Sequence, residues 1–418
     1  MRVAVVGAGI VGVATAYELA ALGLEVTVFE RRNSVAAEAS FADAGVLSAS
    51  HVAPWAAQGM RRQVLQQLLH RPAAVRFGGW NAWSHLPWMW RWWRACRPQV
   101  HAAHRAALLR LAQFSRERLL ELTRLLRLDF QQMPGFLVLL RTGRDLARAQ
   151  SGLSLLRAAG VAHDVVDAAR CRQLEPGLNP ETALAAAIHL PHDGVGNCRH
   201  FAHLLKAEAQ RLGARFCFDN DVRSLAPGAR PTLATADGQP HEFDAVVLCA
   251  GVQASALLAS IGLKLPLLPI HGHSVTAPVR HVDGHPPLGP RAALMDETHK
   301  VAITRLGQRI RVAGVAEIGG RLDRIDPAAL RTLYRVLDDW FPGAALTRQA
   351  QHWKGAQPTL PDGPPVLGPS AAPGVWLNLG HGASGWTLAC GSARVLAETV
   401  AGHEAPLDIS GLTAERLR

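Results

Sequence analysis

Three glycines and one glutamate near the start of the chain have the types and spacing that dinucleotide binding requires. A short apolar run leads directly into Gly7, Gly9 and Gly12, a helical stretch follows, and a second apolar run ends at Glu30. The first glycine allows a tight turn, the second lets the backbone approach a pyrophosphate, and the third lets the helix pack close to the strand. The helix N-terminus offers unpaired N–H groups to phosphates, and the acid is placed to hold ribose hydroxyls. The pattern therefore predicts a dinucleotide-binding unit.

The composition narrows the class of protein. The chain has 418 residues, of which 49% are hydrophobic and 18% charged, which is typical of a globular protein of two domains. Six scattered cysteines without a C-x-x-C pair predict neither disulfides nor a zinc site, and they favour a reducing compartment. The histidines lack the H-E-x-x-H motif, and we expect no metal centre. The first apolar stretch lacks a basic flank and a cleavage site, so we expect neither a signal peptide nor a membrane span there.

The positive charge is concentrated in residues 61–127. This segment holds thirteen arginines and two glutamates, so it carries the whole net charge of +11, and six of the 11 tryptophans lie in it. Interleaved Trp and Arg predict a membrane-facing segment over 80–127, because Trp prefers the headgroup level and Arg attracts anionic lipid. A core helix with a solvated basic back remains an alternative; we expect no nucleic-acid partner. Leucines at helical spacing over 108–126 predict a helix that packs on the neighbouring domain.

The order of the predicted elements indicates an α/β fold with a discontinuous architecture. A Rossmann-like domain, built from a parallel sheet and a β-meander, is expected over 1–60, 190–262 and 350–418. An inserted α+β domain of mixed sheet and helices is expected over 61–189 and 263–349 to hold the substrate.

Several blocks carry a resemblance to a known family. They are residues 1–30, 44–45, 53–57, 296–305, 361–363 and, most specifically, 380–392. Together they resemble the flavin-dependent D-amino acid oxidase superfamily, in particular the bacterial D-amino acid dehydrogenase small-subunit family. The resemblance implies FAD in a glutathione-reductase-type fold and oxidation of a C–N bond to an imine, which hydrolyses to a keto acid or carbonyl and ammonia. It also implies that electrons pass to a membrane acceptor such as a quinone.

The resemblance assigns a set of residues to FAD. A helix that begins near Trp386 would direct its N-terminus at the flavin, stabilise negative charge there and ease hydride uptake. Relatives with covalent flavin use a Cys near residues 353–358, where this chain has none, so we expect non-covalent FAD. The assigned residues are Gly7, Gly9, Ile10, Val11, Gly12, Glu30, Arg31, Ser40, Ala44, Gly45, Leu47, Val222, Ala250, Gly251, Gly380, Gly382, Ser384, Gly385, Trp386 and Thr387.

The chain departs from the family on the substrate side. Gln357 stands where the family has an arginine that clamps the substrate carboxylate, and glutamine cannot form that charge-assisted fork. We therefore expect a substrate shifted away from ordinary D-amino acids. His51, His273 and His299 replace family tyrosines and could bind an anion or accept an amine proton, while Arg305 is a candidate replacement cation. Packing or surface roles remain open for each of these residues.

Two functional classes follow from these residues. The first is a catalytic FAD-dependent amine or D-amino acid dehydrogenase, in the cytoplasm and on the inner face of the cytoplasmic membrane. The second is a non-catalytic or electron-transfer flavoprotein subunit of a hetero-oligomeric amine dehydrogenase, which the loss of the arginine would fit. An NAD-linked dehydrogenase is disfavoured by the glycine block at 380–385. Self-association remains open as well.

Overall fold

The computed structural model describes residues 1–52, 54, 56, 75–77, 85–284 and 288–417. Within this part of the chain there are nine α-helices, numbered in chain order. They are α1 (Ile10–Ala21), α2 (Leu86–Ala95), α3 (Pro98–Leu125), α4 (Gly143–Ala158), α5 (Ala168–Leu174), α6 (Cys198–Arg211), α7 (Ala254–Ser260), α8 (Pro327–Trp340) and α9 (Gly385–Val400). Among the described residues, no helix combines the length and apolar character that crossing a membrane needs.

The first sheet is mainly parallel, as the predicted Rossmann-like domain requires. Its six strands are β1 (Arg2–Val6), β2 (Glu25–Phe29), β8 (Arg215–Cys217), β12 (Ala245–Leu248), β18 (Val366–Pro369) and β19 (Val375–Leu379). They lie in the order β18-β19-β12-β1-β2-β8, with only β18 antiparallel. Val3 and Val5 pack under α1, α6 and α9, while Ala4 and Val6 pack on the opposite face. Burial on both faces explains why the strand is continuously apolar.

A small antiparallel meander accompanies this sheet. Its strands are β9 (Val222–Ala226), β10 (Thr232–Thr235) and β11 (Pro240–Glu242). The α/β class with a parallel sheet and a meander is thus confirmed.

The second sheet is mixed. Its strands are β3 (Val46–Leu47), β4 (Val75–Phe77), β5 (Met133–Leu140), β6 (Asp164–Val166), β7 (Ala186–Val195), β13 (Leu268–Pro278), β14 (Ala293–Asp296), β15 (Val301–Leu306), β16 (Arg309–Ile318) and β17 (Gln351–Thr359). The main path runs β17-β13-β16-β15-β14-β5-β7-β3, and β4 and β6 pair with β16 and β7. Helix α8 packs its apolar side, including Trp340, on one face of this sheet.

The predicted domain boundaries need correction at two elements. Strand β17 pairs with β13 along its whole length, so 351–359 belongs to the second sheet and not to the Rossmann-like domain. Helix α3 lies within the predicted insert, yet Leu119 and Leu122 join the core that contains α1. The packing of α3 on the neighbouring domain therefore agrees with its leucine spacing. The domain boundary predicted at residue 61 does not, because α3 lies after this boundary and yet packs in the core of the first domain.

A buried ion pair fixes the three helices beneath the first sheet. Glu18 of α1 is fully buried and accepts hydrogen bonds from Nε and Nη2 of Arg118 in α3, at 2.7 and 2.9 Å. Arg394 of α9 approaches the same carboxylate at 3.3 Å. Since a buried carboxylate is tolerated only when it is paired, this contact ties α1, α3 and α9 together.

Candidate active site

One cavity of about 710 Å³ lies where the two sheets meet. Its wall includes the carboxyl ends of β1, β2, β12 and β19 and part of the edge strand β17. Ligands of open α/β sheets bind at the carboxyl ends of the strands, so this is the expected location for a dinucleotide. Glycines from both ends of the chain, Gly7 and Gly9 on one side and Gly380 and Gly382 on the other, line this same cavity.

The first glycine block has the geometry that its sequence predicts. Gly7 has a φ of +101°, and a Cβ there would lie 2.7 Å from the carbonyl oxygen of Cys249. A Cβ on Gly12 would lie 1.9 Å from the Gly7 oxygen, so only glycine lets α1 pack this closely. Gly9 is the N-cap of α1 and supplies no side-chain cap. The Ile10 N–H donates to Oγ of Ser40 at 3.1 Å, which brings a loop onto this helix end.

The acid that follows β2 is held against the glycine turn. Glu30 accepts hydrogen bonds from the main-chain N–H of Ala8 at 2.7 Å and of Arg32 at 2.8 Å. Burial raises the pKa of Glu30, and these backbone bonds oppose that rise. Arg31 and Arg32 both pair with Glu38, and all of these residues except Ala8 line the cavity. The carboxylate is therefore fixed in position on the wall where the sequence predicts ribose binding.

The C-terminal block contributes a second helix N-terminus and a neutral histidine. Gly385 lines the cavity at the start of α9, whose N-cap, Ser384, makes no capping bond. His381 also lines the cavity; its Nε2 lies 3.0 Å from Oγ of Ser392, and burial lowers its pKa to about 3. His381 was not predicted as a site residue; the signal available in the sequence was its position between Gly380 and Gly382, and both of these glycines have a positive φ in the structure.

Several residues assigned to FAD support the cavity from behind. Trp386 is buried among Phe130 and Phe201 and donates to the carbonyl of Gly196 at 3.1 Å, so its ring does not reach the cavity. Gly12, Ala44, Gly45, Leu47, Ser384 and Thr387 are likewise not among the described residues that line it. The other assigned residues, including Val222, Ala250 and Gly251, do line it.

The residues present fit FAD. Asn378 lines the cavity and donates to Thr15 at 3.0 Å, while its buried Oδ1 has no hydrogen-bond partner among the described residues. An unsatisfied buried acceptor of this kind points to a donor supplied by a ligand. The cavity is long enough to contact the N-termini of both α1 and α9. A helix N-terminus stabilises negative charge, which suits the phosphates of FAD at one end and its flavin ring at the other.

Gln357 borders the cavity through its neighbours. Ala356 and Pro358 line the cavity, and Gln357 lies between them on β17, opposite Ile270. A Cβ placed on Gly272 of β13 would lie 3.5 Å from Nε2 of Gln357. The half-buried amide of Gln357 therefore lies over β13. None of the five predicted substrate residues is among the described residues that line the cavity itself.

His51 lies on a loop held by a buried carboxylate. Its main-chain N–H donates to Oγ of Ser48 at 3.0 Å, and Ser48 in turn donates to Asp193 at 2.6 Å. The His51 ring meets the ring of Phe136 edge-on, with centroids 5.8 Å apart. Desolvation by the surrounding protein lowers the pKa of the His51 imidazole.

His273 is buried and is not among the described residues that line the cavity, and its contact with substrate stays a prediction. Its side chain is fully buried, with Nδ1 3.2 Å from the carbonyl of Val315 and Nε2 3.5 Å from the Glu317 carboxylate. Lys354 forms a closer pair with the same carboxylate at 2.7 Å. Burial lowers the pKa of His273. The pairing of β13 with β16 shifts register between His271 and His273, and the extra residue lies in β16.

His299 and Arg305 are likewise not among the described residues that line the cavity, and their roles toward substrate stay predictions. His299 contacts Oδ1 of Asp296 through Nδ1 at 3.1 Å. Despite burial, hydrogen bonds from His299 and Trp340 and the nearby charge of Arg141 lower the pKa of Asp296 to about 2. Arg305 lies at the end of β15 and donates to the carbonyl of Gly307 at 3.0 Å. Both residues therefore have local structural partners.

The fold and the cavity define a dinucleotide-dependent α/β protein with an inserted sheet domain, and comparison with known proteins makes the class specific. The family model described as FAD dependent oxidoreductase matches residues 2–399. A D-amino acid dehydrogenase of Cereibacter sphaeroides is 38% identical over 421 residues, covering 100% of this chain and 95% of the relative. One of Rhizobium rhizogenes is 37% identical over 419 residues, covering 100% of both. A glycine oxidase structure from Geobacillus kaustophilus superposes with a TM-score of 0.76 at 22% identity, covering 99% and 98%.

The chain belongs to the family of FAD-dependent oxidoreductases. The resemblance found in the sequence and the FAD cofactor that it implied are thereby confirmed.

Proposed function

We propose that this protein oxidises the C–N bond of a D-amino acid or a related amine to an imine, which water hydrolyses to a keto acid or carbonyl and ammonia. The observation that carries the proposal is the single cavity lined by glycine blocks from both ends of the chain. Full-length similarity to proteins named D-amino acid dehydrogenase supports the choice of substrate class.

The residues of the chain bind and orient in this proposal, and no strong base is required. Bound FAD, held without a covalent link, supplies the hydride acceptor. Helix α9 begins at Gly385 on the cavity wall and stabilises negative charge there. Glu30 fixes the ribose end, and the N-terminus of α1 holds the pyrophosphate. His51 is the candidate to accept a proton from the substrate amine in this proposal, and it is not among the described residues that line the cavity.

Gln357 sets the substrate preference. Without a guanidinium at this position, a carboxylate gains only a neutral hydrogen bond, which is the weaker interaction. We therefore infer a shifted substrate preference. Compared with enzymes that have the arginine, this protein should favour amines that carry a small or neutral group in place of the carboxylate.

The electron acceptor in this proposal is a quinone in an anionic membrane, with the protein bound peripherally on the cytoplasmic side. The positive charge of residues 61–127 and the tryptophans among them support this location.

The test is to mix the purified flavoprotein with candidate substrates in the absence of oxygen. Reduction of the flavin is measured as the loss of its visible absorbance. The panel contains D-amino acids, their L-enantiomers and amines that lack a carboxylate. Bleaching by at least one amine, with stoichiometric ammonia or carbonyl product, is expected. A flavin that no member of the panel reduces, but that dithionite does, would favour the electron-transfer subunit over the dehydrogenase.

A further inference from the structure

Helix α2 has one buried and one exposed aromatic face. Trp88 and Trp92 are buried, whereas Trp90 and Trp93 are 58% and 41% exposed and Leu86 is 50% exposed. The exposed residues are spaced by four and three, so they form one stripe on the helix. The rings of Trp90 and Trp93 stack with centroids 5.4 Å apart. Two large aromatic rings exposed side by side are unusual on a protein surface that meets only water.

The charge around this stripe indicates what contacts it. Arg91 and Arg94 of α2 and the adjacent Arg97 are exposed, and α2 contains no acidic residue. Tryptophan with arginine, and without lysine or acid, is the combination that suits the headgroup region of an anionic bilayer. A protein partner would need a large complementary acidic surface around an aromatic pocket, whereas a bilayer supplies both features over its whole area.

The inner face of α2 rests on the substrate side of the cavity. Nε1 of Trp88 donates to the carbonyl of Thr359 at 3.2 Å, at the end of β17. Trp92 packs in the same cluster as Ile270, which is the register partner of Gln357. The helix therefore separates the exposed stripe from the strand that borders the cavity.

The C-terminal residues add a second link between α2 and this edge. Nη1 of Arg91 donates to the carbonyl of Leu417 at 2.7 Å. Its neighbour Arg416 pairs with Asp362 at 2.7 Å, in the turn that follows β17, and both of these side chains are buried. The position of α2 is thus fixed relative to the cavity by contacts on both sides.

We propose that the stripe of Leu86, Trp90 and Trp93, with its flanking arginines, is the surface by which this protein docks on an anionic lipid bilayer. The proposal deepens the proposed function by naming the docking surface. Docking through this stripe brings α2, and with it the end of β17 on which α2 rests, against the bilayer that dissolves the electron acceptor.

The first experiment is flotation of the flavin-loaded protein with vesicles of phosphatidylglycerol and phosphatidylcholine. The W90A/W93A variant is compared with L155A/L212A, which removes two exposed apolar side chains from other helices or their ends. We expect the first variant to bind roughly tenfold or more weakly and the second to bind like the wild type. Vesicles of phosphatidylcholine alone should bind all three proteins poorly. Equal binding of W90A/W93A and wild type to the anionic vesicles would overturn the proposal.

The second experiment separates docking from chemistry. W90A/W93A should keep substrate turnover with a water-soluble acceptor and lose it with ubiquinone held in the vesicles. If no amine reduces the flavin of the wild type, the proposed function fails while flotation still tests docking. If flotation is absent and sedimentation shows a dimer that W90A/W93A dissociates, the stripe joins two copies of the chain and the bilayer proposal is wrong.

Discussion

Replacing Gln357 with arginine should restore a strong carboxylate contact on the substrate side of the cavity. The Gln357 side chain is half-buried and lies over Gly272, which leaves space beside it, and Gly355 on the same face of β17 lines the cavity. A neutral hydrogen bond contributes about 1 kcal/mol net, whereas one to a charged group contributes about 1.5–3 kcal/mol. The expected gain is about 0.5–2 kcal/mol, which corresponds to roughly a 2–30-fold increase in kcat/KM for a D-amino acid.

The assay compares a D-amino acid with the matching amine that lacks the carboxylate, in steady state with a soluble acceptor. Gln357→Arg should raise kcat/KM for the amino acid, mainly through KM, and leave the amine unchanged or slower. Gln357→Lys is the control for charge without a planar fork, and we expect a smaller gain from it. Equal changes for both substrates, or no change at all, would refute the assignment of Gln357 to the substrate site.

Three further outcomes follow from the structure. Gly12→Ala places a Cβ 1.9 Å from a main-chain oxygen, so the purified variant should contain less than about a tenth of the wild-type flavin, whereas Gly152→Ala, with no atom near its Cβ, should keep it. Glu18→Gln leaves the Arg118 guanidinium with only the exposed Glu121 as counter-charge and should lower the free energy of unfolding in urea by about 3 kcal/mol; an unchanged value would contradict the pairing. Burial raises the pKa of Asp43 from 3.8 to about 6, so the contribution of this carboxyl to the free energy of unfolding should fall by up to about 3 kcal/mol as the pH rises through that interval. The measurement is the difference in the free energy of unfolding between wild type and Asp43→Asn across this interval, because other titrating groups such as His381 cancel in it; a difference that does not change with pH would contradict the assignment.

The parts of the site that local chemistry dictates could be predicted from sequence. A turn at Gly7, a close helix at Gly12 and an acid at Glu30 are needed together in one short unit, so their spacing alone identifies them. The convergence of Gly380 and Gly382 on the same cavity followed from the family resemblance, since spatial neighbours at opposite ends of a chain leave no local pattern.

The side of a strand that a residue faces was harder to predict. His273 lies on β13, none of whose described residues lines the cavity, and its ring contacts Val315 and Glu317 of the neighbouring strand β16. The tryptophans of α2 show the same limit, because composition indicated an interfacial segment but not that Trp88 and Trp92 are buried. Trp80 and Trp83 lie outside the described residues. Burial of each ring depends on the strand against which the helix packs, and that is a tertiary property.

The central claim is that glycine-bearing strand ends from both extremities of the chain surround one non-covalently held flavin. Its most direct test is the absorbance spectrum of the purified protein, followed by acid precipitation and quantification of the released cofactor. The account predicts a yellow protein that releases about one FAD per chain into the supernatant. A colourless protein that takes up no FAD on reconstitution would contradict it.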